Sequence, residues 1–143
     1  LTYVTKQQLI DRFGERELIQ LTDRQNRPAT TIDDDVIDGA VADAEALVDG
    51  YIGKVYDLPL SSTPAVLTRI SADIARYYLH GKSADKDGSV HRAYLEATGW
   101  LRDVSRGLVQ IDAEGVTLAA AGGGSVRAKP ADRVFTRDSL KDM

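Results

Sequence analysis

Between Thr31 and Tyr56 apolar side chains return every three or four residues, at Val36, Ile37, Ala40, Val41, Ala44, Leu47, Val48, Tyr51, Ile52, Val55 and Tyr56. That spacing lays them along one stripe of an α-helix, and such a stripe has to be covered. About 24 residues at ~1.5 Å each give a rod of ~36 Å, long enough for shorter helices to lean on. Thr31 or Asp33 can cap its start, and the first-turn carboxylates meet the positive end of the helix dipole. The opposite face carries Asp34, Asp35, Asp38, Asp43, Glu45 and Asp49, so its wet side is acidic. Gly39, Gly50 and Gly53 each cost roughly 1 kcal/mol against Ala inside a helix. They mark a close approach of another backbone or a bend, or are tolerated under strong packing.

One domain is expected of 143 residues, 43% of them hydrophobic, enough to close a single core. The absence of cysteine excludes disulfides and thiolate metal sites. No apolar run approaches the ~18 residues of a membrane span, and Leu1 to Ile10 has no signal-peptide pattern. The expectation is a soluble chain, intracellular at synthesis, with no membrane partner. The net charge of −4 is unevenly spread. Acidic residues outnumber basic ones twofold in 1–57, whereas basic residues lead in 125–143. Such a split disfavours nucleic-acid binding by the acidic part and allows head-to-tail attraction between copies.

Taken in order, the chain reads as short helices around the long one. Thr5 and Gln8 form a capping box, with Val4 set to pack on Leu9 across it, and the first helix ends near Phe13-Gly14. Glu15 to Leu21 repeats the pattern, and Thr22 to Thr30 is a polar loop containing Pro28. From Asp23 to Asp34 this loop has the length of an EF-hand but not its chemistry. Gln25 and Arg27 stand where carboxylates belong, Pro28 where the turn needs glycine, and Asp34 where a bidentate Glu closes the site.

After Leu58-Pro59-Leu60, Thr63-Pro64 opens another helix as cap and first residue, with Leu67, Ile70, Ile74, Tyr77 and Tyr78 inward and Arg69, Asp73 and Arg76 outside. It stops at His80-Gly81. A further helix runs from Ser89 to Arg106, with Val90, Tyr94, Ala97, Leu101 and Val104 inward and Gly107 as its left-handed end. Short loops between helices of similar length predict antiparallel packing, with Leu47, Ile52, Leu67, Ile70, Ile74 and Leu101 in one core. Leu108 to Ile111 is a small strand or a docked extended segment.

The expected fold is therefore mainly α: an antiparallel helical bundle around one long helix, with a flexible C-terminal arm containing a short β-strand. The helical body is assigned to 1–111, a flexible linker to 112–131 and the arm to 132–143. The linker holds Ala119 to Ser125, a run of alanines and glycines with too little apolar surface to offset the entropy of ordering. In the arm, Arg133, Val134, Phe135, Arg137, Leu140 and Lys141 are the candidates for docking on a partner by strand addition. Folding of the tail back on its own helices is the other outcome.

No arrangement of Ser, His and Asp forms a relay around His80 or His91, and no glycine-rich phosphate loop is present. The two histidines read as solvated or capping, and Trp100 and the tyrosines as packing residues, with Trp100 or Tyr3 available to a subunit contact. No cofactor, metal or enzymatic activity is expected.

Several stretches together resemble one family: Tyr3 to Gly14, Glu17 to Asp23, Asp49-Gly50-Tyr51-Ile52, Leu58-Pro59-Leu60, Asp73 to Tyr77, and Arg133 to Lys141. The chain is similar, over nearly its whole length, to the small head-tail adaptor, or connector, proteins of Mu-like tailed phages and prophages. Family members commonly carry an acidic, calcium-like loop where Thr22 to Asp34 lies; this sequence departs from it, so no metal is carried over. The resemblance implies a virion structural protein at the head-tail junction, present in the host cytoplasm during assembly. It implies a ring of twelve copies under the portal protein that meets a tail-side connector or tail terminator and lines the DNA channel. Asp35, Asp38, Asp43, Glu45 and Asp49 would then form an acidic face past which DNA slides without specific binding. The competing expectation is an intracellular helical binding module or regulator that uses the same arm.

Overall fold

A computed structural model describes residues 2–112, Val116 and Leu118. Five α-helices follow in order: α1 Lys6–Phe13, α2 Glu15–Thr22, α3 Asp34–Ile52, α4 Ala65–His80 and α5 Ser89–Ser105, with a single 3₁₀ turn Gly81–Ser83 after α4. Their starts and stops have local causes. Thr5 accepts from the Gln8 amide while the Gln8 side chain accepts from the Thr5 amide, and Gly14, at φ 91°, ends α1 and admits α2. Val4 and Leu9, on either side of that cap, are both fully buried. Asp33 caps α3 by accepting from the amides of Asp35 and Val36. Gly107, at φ 77°, closes α5 in the left-handed conformation expected of it, with the Leu108 amide reaching back to the Asp103 carbonyl.

α3 is the longest helix, at 19 residues, but it is shorter than the apolar stripe that announces it. The helix ends at Ile52 and the chain turns through Gly53, so Val55 and Tyr56 reach the core from outside the helix. A Cβ at Gly53 would lie 2.8 Å from the Asp49 carbonyl oxygen and 3.1 Å from Leu58 Cδ1, so what crowds this glycine is the last turn of α3 and a side chain, not the backbone of another element. At Gly39 and Gly50 a Cβ would meet nothing within 4 Å. The start of α4 also differs by one residue: Pro64 is extended and precedes the helix, and the Thr63 side chain faces the Thr2 carbonyl rather than capping α4.

α4 packs against both α3 and α5, and its lower flank meets α2. Tyr3 touches the C-terminal half of α3, and Thr2 touches Thr63 just ahead of α4. At the other end of α1, the Arg76 guanidinium near the end of α4 lies 4.5 Å from the centre of the Phe13 ring. The start of α4 therefore lies beside the end of α3, and the segment before α1 runs from there along α3 toward its start, where Lys6 of α1 meets Asp34. Ile37, Val48, Ile52, Leu67, Ile70, Ile74, Leu101 and Val104 form the centre of the core, all at 0–1% exposure. Leu47 stands at its edge, half-buried, instead of inside it. Burial of so many branched side chains, at roughly 25 cal/mol per Å² of apolar surface removed from water, is what holds the helices together.

Leu108 to Ile111 is neither a strand nor docked along its length: the chain bends at Leu108 and Val109 with Leu108 exposed, and only Ile111 is buried, its amide donating to the Tyr56 hydroxyl at 2.7 Å. Contacts with the body continue beyond it, since Val116 packs against the core and Leu118 forms an isolated antiparallel bridge with Tyr56. The rest of the proposed linker, and the whole 132–143 arm with Arg133, Val134, Phe135, Arg137, Leu140 and Lys141, lie outside the described residues.

Candidate functional site

The acidic residues of α3 are not one wet face. Tyr3 is 3% exposed; its amide donates to Glu45 Oε1 at 2.8 Å and its hydroxyl donates to Asp49. Burial first, then the Asp49 hydrogen bond and the charges of Asp49 and Glu45, push the Tyr3 hydroxyl well above the usual phenol range. Glu45 and Asp49 are thus half-buried anchors for the N-terminal segment, which corrects their assignment to an open acidic surface. Asp34 is paired with Lys6 of α1. Asp35, Asp38 and Asp43 are exposed, as expected. Asp38 lines a hollow of about 410 Å³ between the N-terminal segment and α3, together with Thr5, Lys6, Val41 and Glu45.

The outermost strip of α3 is made of small residues. Gly39, Ala42, Ala46 and Gly50 are all exposed, at helical spacings of three and four. Asp35 and Asp43 flank the strip. A shallow depression of about 280 Å³ opens beside it, lined by Ala46, Leu47, Gly50, Tyr51 and Lys54.

The outer face of α5 has the opposite sign. Arg92, Leu95, Arg102 and Arg106 are exposed and Gly99 lies between them, all within one flank of the helix, while Glu96 and Asp103 occupy the next flank. Leu95 is 52% exposed on that flank. The pattern was present in the sequence, since residues 92, 95, 99, 102 and 106 follow the helical period, but reading the helix from its apolar side left it unremarked.

Two further clusters are structural in character. Arg76 does not stand outside as expected: it donates to both Glu17 oxygens, at 3.1 and 2.7 Å, tying α4 to α2 with about a quarter of each side chain exposed. His80 Nε2 lies 3.7 Å from the same carboxylate and is buried without a hydrogen bond among the described residues, so it is neither solvated nor a cap. Asp73, half-buried, has its carboxyl pushed up by burial in spite of the nearby charges of Arg69, Arg12 and Arg76. Tyr77 stacks on Tyr94 with ring centres 4.0 Å apart, and His91 and Tyr78 pack around the pair. Tyr77 and His91 border a hollow of about 550 Å³ that includes Lys82 and Lys86.

The loop that resembles an EF-hand in length is organised by one side chain. Asp23 accepts from the amides of Gln25, Asn26, Thr30 and Thr31 and from the Asn26 side-chain amide, at 2.9–3.2 Å. The Thr30 amide above all, then Asn26, holds its carboxyl well below the usual carboxylate range. A carboxylate so engaged turns its lone pairs inward to the loop's own N–H groups, the arrangement of an Asx turn. Among the described residues no group of three His, Cys, Asp or Glu is placed to hold a metal ion, and no helix is long and apolar enough to cross a membrane.

Sequence comparison places the chain in a known family. Residues 3–128 match the Bacteriophage Mu, Gp36 family, and the chain belongs to it. It is therefore a Mu-like phage protein. Within that class it is 30% identical to gene product J of Escherichia phage Mu over 141 residues, 96% of each chain. It is also 30% identical to Mu-like prophage FluMu protein gp36 of Haemophilus influenzae over 109 residues, 76% of this chain and 74% of that one.

Proposed function

We propose that this protein is a structural component of a Mu-like virion, the head-tail adaptor that forms a ring, of twelve copies, beneath the portal protein. The ring meets a tail-side connector or tail terminator on its other side, at the head-tail junction of the virion, and DNA passes through its centre. Its role is to join and to line, without catalysis or a cofactor. The observation that carries the reading is the match to a Mu phage protein along 96% of both chains. A rigid helical body with exposed faces of opposite charge supports it, because subunits repeated around an axis need two different complementary surfaces.

Of the acidic face expected to border the DNA passage, Asp35, Asp38 and Asp43 are the exposed candidates, whereas Glu45 and Asp49 hold Tyr3. Like charge keeps a polyanion from adhering to a wall it must slide past. Docking of the arm through Phe135 and its neighbours is part of the same proposal. Deletion of the gene from an inducible Mu-like prophage tests it: filled heads and complete tails should accumulate unjoined, and the protein supplied in trans should restore joined particles. Joined, infectious particles without the protein would refute the adaptor role.

A further inference from the structure

We infer that the small-residue strip of α3 is the seat for the outer face of α5 of a second copy, in a head-to-tail contact. The inference deepens the ring reading by naming the surfaces through which neighbouring copies meet, and it rests on that reading only for the closure of the ring; it takes Asp35 and Asp43 into the seam and leaves Asp38 as the exposed carboxylate of α3 for the channel wall.

The two faces match in chemistry and in length. On α3, Gly39 and Ala42 lie between Asp35 and Asp43; on α5, Leu95 and Gly99 lie between Arg92 and Arg102. Eight residues separate the two aspartates and ten the two arginines, ~12 and ~15 Å along their axes. A helix laid on the strip can set Leu95 over Gly39 while guanidinium groups reach a carboxylate at either side. Small residues on both helices allow the backbones to approach closely. The space over Gly39 and Gly50 is open, so nothing among the described residues already fills it. Leu95, left 52% exposed, is covered by such a contact. Aspartates on one face and arginines on the other favour an α3–α5 pairing over α3–α3, where only carboxylates would meet, with Glu96 exposed at the edge of the α5 face beside Arg92. Because the two patches differ, each copy keeps one free face after pairing, and the contact propagates around a ring or along a chain.

Gly39→Glu and Leu95→Glu test the contact separately. Each places a carboxylate at the centre of one face, and the open space above Gly39 shows that the fold accommodates the first. Wild-type protein should sediment as an oligomer at low salt, and each variant alone as a monomer with an unchanged circular dichroism spectrum. Mixed together, they should form a 1:1 dimer that grows no further, because the intact α3 of one meets the intact α5 of the other and the remaining faces repel. Since the chain has no cysteine, Gly39→Cys and Leu95→Cys proteins provide a second measurement at high concentration: oxidation of the mixture should give the mixed disulfide dimer.

Several results would overturn the contact: both glutamate variants assembling like wild type, disulfides between two Gly39→Cys copies in preference to mixed ones, or no mixed disulfide at all. If the variants abolish self-association while heads and tails still join normally, the contact stands and the adaptor role falls. If wild type assembles and the variants do too, the ring reading stands without this seam.

Discussion

α3 and α4 lie side by side with 19 and 16 residues, yet they relate to the rest of the molecule in different ways. α4 is enclosed: eight of its residues are buried, including Thr68 and Ser71, and it has α2, α3 and α5 as neighbours. α3 is longer but buries six, and its outermost strip is bare and built from glycine and alanine. Length, then, does not decide which helix is central, and neither does the number of neighbours, since α3 also meets α2, α4 and α5; what differs is how much of each helix those neighbours cover. A helix enclosed on several sides is specified by the volume it fills, whereas a helix with one bare face carries information for something outside the body.

That contrast predicts opposite responses to substitution. The largest loss should come from α4: Ile70→Ala leaves a cavity among fully buried side chains and should cost ~2 to 5 kcal/mol, read from a urea melt. A loss below half a kcal/mol would mean that the core around α4 relaxes freely, and the comparison would fail. Next, Arg76→Ala removes a paired hydrogen bond to Glu17 and the packing on Phe13. With a quarter of each partner exposed it should cost about 1 to 2 kcal/mol, and a double-mutant cycle with Glu17→Gln should recover most of that as coupling.

On α3 the sign reverses. Gly39→Ala adds a methyl group in open space and improves helix propensity, so stability should rise by up to about 1 kcal/mol. A decrease would mean that the strip is already in contact with part of the same chain.

Two smaller effects depend on pH. The folded state holds the Asp73 carboxyl above its ordinary value, so its ionisation works against folding at neutral pH. Asp73→Asn should therefore melt slightly higher than wild type at pH 7, and the difference should shrink as pH falls through the carboxylate range, where wild type becomes protonated as well. The Tyr78 hydroxyl is pushed up to about 12, by burial first and then by the neighbouring Tyr94. Because the folded state prefers the neutral phenol, its contribution is complete below the unfolded value near 10 and is lost as pH rises from there to about 12. Tyr78→Phe should flatten that part of the alkaline stability profile without changing the neutral melt by more than a degree or two. An unchanged alkaline slope would place Tyr78 in water and remove it from the α4 cluster.

Much of the helical body is legible because its signals are local. The Thr5-Gln8 box, the aspartate before α3, and the glycines at 81 and 107 each act within one turn of chain, so residue identity alone reports them. The candidate surfaces are less legible for the same reason. Asp43 and Asp49 both look solvated when read along one helix, and only the approach of Tyr3 separates them. Arg76 has the spacing of an exposed ion-pair partner on α4, but its actual partner, Glu17, is far away in sequence. Tyr56 continues the apolar period of α3, yet it reaches the core from beyond the helix end, where its hydroxyl accepts from the Ile111 amide.

By itself, then, the sequence determined the helical class, the helix starts to within a residue once Asp33 rather than Thr31 is taken as the cap of α3, the apolar faces and the acidic sign of α3. These depend on backbone capping and on the 3.6-residue period, which need no distant contact. Only the tertiary structure decided that α4 is the enclosed helix, that Glu45 and Asp49 are anchors while Asp35, Asp38 and Asp43 stay exposed, and that Asp23 closes its own loop. The reason is physical: whether a carboxylate faces water or a donor depends on which segment packs over it, and that is set by the filling of a shared core rather than by any property of the helix on which the carboxylate stands.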